Sequence, residues 1–148
     1  MEKNGEGGSA MRIMAIDYGD AHTGVAISDL LGFGAGTAET IDSRNQDVVV
    51  ERLKGYIRDY QVEELVLGYP KNMDGTLGER AEKSEALARR LRAETGLPVT
   101  LWDERRTTVD AHRILSEAGK RGKTRKKVVD AVAATLILEG YLIYKKNQ

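Results

Sequence analysis

Cysteine is absent from the 148 residues, and the chain holds one Trp, one Phe and two Pro. Without thiols there is no disulfide, no Cys nucleophile and no thiolate-ligated zinc or iron–sulfur site, which fits a reducing compartment. No apolar run approaches the ~20 residues that span a bilayer. The longest near the C-terminal end, Val132 to Leu138, is cut by Glu139. MEKNGEGGSA, the first ten residues, lacks an apolar h-region, so no secretory signal is expected. Net charge is missing too, with 23 basic against 23 acidic side chains. A cytoplasmic location and no membrane partner are the expectations. What is present, 41% apolar and 31% charged residues, suffices for a core. The length suits one domain of ~100–150 residues. Residues 1–10 read as a disordered tail and 11–148 as that domain.

The zero net charge conceals an asymmetry. KRGKTRKK, Lys120 to Lys127, carries six basic residues and no acidic one, which leaves the rest of the chain at a net −6. A cationic loop on an acidic body can hold a polyanion that the molecule as a whole would repel. A solvated lysine-rich loop explains the same run equally well.

The periodicities order the elements. Arg12 to Tyr18 and Thr23 to Asp29 are short apolar runs separated by a polar Gly-containing turn, a hairpin pattern. A weaker strand follows around Ala38 to Ile41. Asp47 to Tyr60 shows a helical stripe, Glu64 to Leu67 reads as a strand stopped by Gly68-Tyr69-Pro70, and Glu79 to Thr95 is a helix stopped by Gly96. Val99 to Trp102 is a fifth strand. Thr107 and Asp110 form a capping-box pattern opening a helix to Ala118, and Lys126 to Tyr144 is a last helix. An antiparallel meander feeding helix-linked strands predicts a mixed α/β sheet with helices on both faces.

Acidic residues fall where burial is costly. Asp17 ends the first strand behind Met14, Ala15 and Ile16; Asp103 and Glu104 follow Trp102; Asp130 sits among Val128, Val129, Ala131 and Val132. A carboxylate in an apolar segment needs a partner or a cation. Each alone has an ordinary reading, as a turn cap, an arginine partner or a first-turn helix charge. Together, from three elements, they make a candidate divalent-cation site. Mg²⁺ takes oxygen ligands and leaves positions for phosphate and water, and two ions ~4 Å apart promote phosphodiester hydrolysis. The Asp17-Tyr18-Gly19 turn followed by Thr23-Gly24 also resembles the phosphate cradle of actin-like ATPases, but one lobe is short for that fold. The loop GYPKNMDGTLG, Gly68 to Gly78, is a turn or a phosphate-facing segment. His22 and His112 have no metal-ligand spacing and read as ordinary surface or packing histidines.

Ile16-Asp17-Tyr18-Gly19 with Thr23-Gly24-Val25-Ala26, then Leu67-Gly68-Tyr69-Pro70 with Asn72-Met73-Asp74-Gly75, then Asp103-Glu104-Arg105-Arg106-Thr107-Thr108, then Asp130-Ala131-Val132-Ala133-Ala134 resemble the YqgF (RuvX) family. The resemblance runs from Met11 to about Tyr144. It implies an RNase H-like fold, a five-stranded mixed sheet with antiparallel first strands flanked by helices, and metal-dependent phosphodiester hydrolysis. Members are described as Holliday-junction resolvases by analogy with RuvC, and as nucleases that process the 5′ end of pre-16S rRNA. Carried over, Asp17 matches the first-strand carboxylate and Asp130 the C-terminal-helix carboxylate. The second acidic position is Glu104, with Asp103 close behind. Mg²⁺ or Mn²⁺ would be held by Asp17, Glu104 and Asp130. Arg105 and Thr108 match positions facing backbone phosphates, and Lys123, Arg125 and Lys126 a basic clamp. Tyr69 stands where relatives often carry a smaller or aliphatic residue. The expected partner is structured RNA, with branched DNA as the enzymatic rival and non-catalytic RNA binding in ribosome assembly as the other reading. Monomer and homodimer both stay open.

Overall fold

The computed structural model describes residues 11–29, 34–70, 78–103 and 122–147, with side chains of the last segment described from 131 onward. Five strands form one sheet: β1 (Ile13–Asp17), β2 (His22–Ser28), β3 (Ala35–Asp42), β4 (Glu64–Tyr69) and β5 (Val99–Asp103). Their order is β3-β2-β1-β4-β5. β1–β2 and β2–β3 pair antiparallel, whereas β1–β4 and β4–β5 pair parallel. The predicted meander and helix-linked strands are therefore the observed ones.

Alternation along the strands splits the core in two. Met14, Ile16, Val25, Ile27, Leu65 and Leu67 face one way and pack under helix α1 (Gln46–Tyr60) and helix α2 (Glu79–Thr95), against Val49, Leu53, Leu87 and Leu91. Ile13, Ala15, Ala26, Val66 and Trp102 face the other way. They pack under helix α3 (Gly122–Lys146), against Ala134, Ile137, Leu138 and Tyr141. α1 is capped by Asn45, whose side chain accepts from the Asp47 backbone N–H at 2.8 Å. α2 ends at Gly96 in the left-handed conformation, φ 72°, as the sequence predicts.

Three boundaries differ from the expectation. β3 starts at Ala35 and not at Ala38, because pairing with β2 carries the weak strand. β4 runs through Gly68 to Tyr69 because both pair with β5, with Trp102 and Asp103. α3 begins at Gly122 and not at Lys126, so Lys123 and Arg125 lie in helix together with Lys126. Lys and Arg are strong helix formers, and a run of charge does not itself mark a loop. The predicted Thr107–Ala118 helix lies outside the described residues.

The β1–β2 turn is sterically exacting. A Cβ on Gly19 would run into the backbone carbonyl of His22, and a backbone atom has no rotamer by which to yield. Gly19→Ala is expected to lower stability by about 1–3 kcal/mol, read as a lower urea midpoint at unchanged slope.

Candidate active site at the carboxyl edge of the sheet

Asp17 closes β1, half-buried. Ile13 and Ala15 lie on the α3 face, so alternation puts Asp17 there too. Its Cα partner on β2 is Gly24, and the Ile16–Leu67 pairing puts Gly68 level with it on β4. Glycine thus stands on both sides of Asp17, and neither neighbouring strand projects a side chain across the carboxylate. Ala15, Ala26 and Ala134, all fully buried, let helix and sheet approach closely beside it.

Asp103 is placed differently. Val99 and Leu101 pack into the α1/α2 core, while Thr100 meets the Tyr141 hydroxyl and Trp102 packs under α3. The same alternation therefore sets Asp103 on the α1/α2 face. Its Cα partner Tyr69 agrees, since the Tyr69 hydroxyl donates to Glu85 of α2. Asp17 and Asp103 stand on opposite faces of the sheet. Glu104, Arg105 and Thr108 lie outside the described residues, as does the segment 71–77.

α3 carries the third position, 130. Its C-terminal part is tied to the start of β4: the Tyr141 hydroxyl donates to Glu64, and Lys145 Nζ lies 2.7 Å from Glu64. Ile13, where β1 starts, pairs with Glu64. Position 130 is one turn before the buried Ala134, at the same helical phase. The helix that carries position 130 covers the face Asp17 occupies. Lys123, Arg125 and Lys126 occupy the first turns of this helix, which hold no acidic residue. Helix dipole and fixed charge thus add at that end, both favouring anions.

Contacts from the other face brace the segment following Asp17. The Tyr18 hydroxyl accepts from Gln46 Nε2 at 3.2 Å, and Gln46 Oε1 accepts from Arg90 Nη1 at 3.0 Å. Arg90 also pairs with Asp47 at 2.8 Å and Glu94 at 2.7 Å. Lys83 pairs with Asp20 at 3.1 Å, which raises the lysine pKa. Lys54 and then Arg90 hold the Glu94 carboxyl below its ordinary value. Sequence reasoning missed Gln46, Lys83 and Arg90.

Tyr69, beside Asp103, is pushed up to about 12, chiefly by its hydrogen bond to Glu85. A pKa raised above the unfolded value of about 10 means stabilisation that is complete below pH ~10 and is lost as pH climbs toward 12. Stability should accordingly fall through that window, and Tyr69→Phe should flatten the fall, as followed by thermal unfolding between pH 9 and 12. Glu94 acts at the other extreme, its contribution vanishing as pH drops below the ordinary carboxylate range.

The sequence profile of the RuvX family, described as Holliday junction resolvase, matches residues 11–144. The chain belongs to the RuvX family. Relatives of this family from Halothermothrix orenii and Moorella thermoacetica, each named "Putative pre-16S rRNA nuclease", are 50% and 52% identical to it. The first alignment covers 93% of this chain and 98% of the relative, the second 89% and 94%. Thermus thermophilus RuvC, solved in complex with a Holliday junction substrate, superimposes with a TM-score of 0.62 at 14% identity. It covers 92% of this chain and 97% of RuvC, which shows a shared RNase H-like fold. Among the described residues no helix is long and apolar enough to cross a membrane, and no three His, Asp or Glu side chains converge on one cation position. Glu104 and the Asp130 side chain lie outside the described residues.

Proposed function

We propose that this RuvX-family chain is a divalent-metal-dependent endonuclease of structured RNA whose substrate is the 5′ region of pre-16S rRNA. The observation that carries the reading is the position of Asp17: a half-buried carboxylate at a strand end, flanked by Gly24 and Gly68, on the face of the sheet covered by α3, the helix that holds position 130. The names of the relatives favour RNA over DNA as substrate.

The donor chemistry fits a hard cation. Asp17, Glu104 and Asp130 offer only carboxylate oxygens, the ligand type that Mg²⁺ and Mn²⁺ select, and the glycine-flanked opening leaves room for further oxygens from phosphate or water. When bound, the cation supplies positive charge to the phosphodiester oxygens. Asp17, Glu104 and Asp130 would hold it. Lys123, Arg125 and Lys126, in the first turns of α3, bind the backbone through its phosphates, so affinity declines with added salt. Arg105 and Thr108 orient the phosphates next to the scissile one. No side chain becomes covalently attached to the product.

Purified chain should cut a 5′-extended 16S precursor RNA with Mg²⁺ or Mn²⁺, leave it intact in EDTA, and cut a four-way DNA junction far more slowly. Faster cleavage of the junction would replace this substrate by branched DNA, the activity named for the family profile. Metal-independent RNA binding with no cleavage of either substrate would leave a non-catalytic assembly factor.

A further inference from the structure

Outside the carboxylate set, a second pair of polar side chains stands at the same edge of the sheet. His22 opens β2, and its Cα partner on β3 is Asp42. Their side chains meet, with His22 Nδ1 2.7 Å from Asp42 Oδ1. An ionised carboxylate has no hydrogen to give, so the imidazole donates from Nδ1 and Nε2 is the nitrogen left for a ligand. The histidine side chain is 29% exposed, which leaves it within reach of solvent and substrate.

Alternation fixes its face. Ala26 packs under α3, so Gly24 and His22 lie on that face as well. Gly24 is the Cα partner of Asp17, which makes His22 the diagonal neighbour of Asp17, about 7–8 Å away between Cα atoms. Both residues sit on paired strands, and Asp42 holds the ring against rotation. A phosphodiester beside Asp17 would have the imidazole against its flank.

We propose that His22 is a further catalytic residue of the nuclease reaction, donating a proton to the oxygen that leaves phosphorus, with Asp42 as its positioning residue. The inference rests on the nuclease reading above. In the step, a water oxygen forms the new bond to phosphorus. The bond from phosphorus to the bridging oxygen breaks, and its electron pair goes to that oxygen. The proton on His22 Nε2 passes to the same oxygen, leaving neutral imidazole with Nδ1–H still on Asp42. The surplus proton of the attacking water goes to solvent, from which His22 is protonated again.

The test uses the full chain and a 5′-extended 16S precursor RNA, made both with ordinary phosphodiesters and with sulfur replacing the 3′ or 5′ bridging oxygen at the cleavage site. Thiolate leaves without a proton, so it bypasses a missing donor. His22→Gln should slow kcat on the ordinary RNA by about 10²–10⁴-fold with KM little changed, and should cut one sulfur isomer within a few-fold of wild type. Asp42→Asn should show a smaller loss of the same kind. An unchanged kcat, or an equal loss on oxygen and sulfur substrates with an unchanged melting temperature, would overturn the proton-donor role. Asp17→Asn is the control that separates the two readings, because it should lose activity on every substrate. Full activity in Asp17→Asn, or no cleavage by wild type, would overturn the nuclease reading and the role of His22 together.

Discussion

Replacing Asp17 by Asn should cost on the order of 10³-fold in the cleavage rate, equivalent to about 4 kcal/mol of transition-state stabilisation, while the protein stays folded. The two side chains are isosteric, so the packing of Ala15 against α3 is untouched, and a neutral amide is less costly to keep half-buried than a carboxylate. What changes is charge at one point. With Gly24 and Gly68 on either side, no neighbouring side chain on those strands is placed to take over the lost oxygen. Mn²⁺ binding by titration calorimetry should weaken in the same variant, a readout that needs no substrate. Wild-type cleavage by Asp17→Asn would exclude Asp17 as a required cation ligand.

What could be read ahead of the structure was what depends on neighbours in sequence. Apolar runs located β1 and β2, and Gly96 marked the end of α2 where its φ of 72° now sits. Asp17 stood out because a charge among Met14, Ala15 and Ile16 is anomalous without knowing what faces it. Where two local signals competed, tertiary pairing decided the outcome. Gly68 and Tyr69 look like a turn before Pro70, yet partners on β5 keep them in strand. The basic run before α3 looks like a loop, yet it continues into helix from Gly122. Long-range partners left no trace at all. Tyr18 meets Gln46 across 28 residues and Gln46 meets Arg90 across 44. His22 and Asp42 are 20 apart and become neighbours only through the β2–β3 register, which is why His22 reads in sequence as an ordinary surface or packing histidine.

Glu104→Gln should lose cleavage on the same scale as Asp17→Asn, whereas Asp103→Asn should keep it within a few-fold of wild type. The two acids are adjacent, and the sequence favours Glu104 only narrowly over Asp103. Strand parity bears on Asp103. A side chain at one strand position points opposite to the next, and β5 supplies four consecutive witnesses. Val99 and Leu101 belong to the α1/α2 side, and Thr100 and Trp102 to the side of α3. Asp103 continues the first series, toward Tyr69 and away from Asp17. To reach the carboxylate of Asp17 it would have to pass through the sheet between β1 and β5, where β4 lies. With Asp103 turned away from Asp17, Glu104 is the acid of the pair left as the expected ligand. Single-turnover rates and Mn²⁺ affinities of the two variants, measured side by side, decide the matter. A strong loss in Asp103→Asn with Glu104→Gln intact would mean that the chain twists by half a turn beyond Trp102, and that the α1/α2 face contributes to the site.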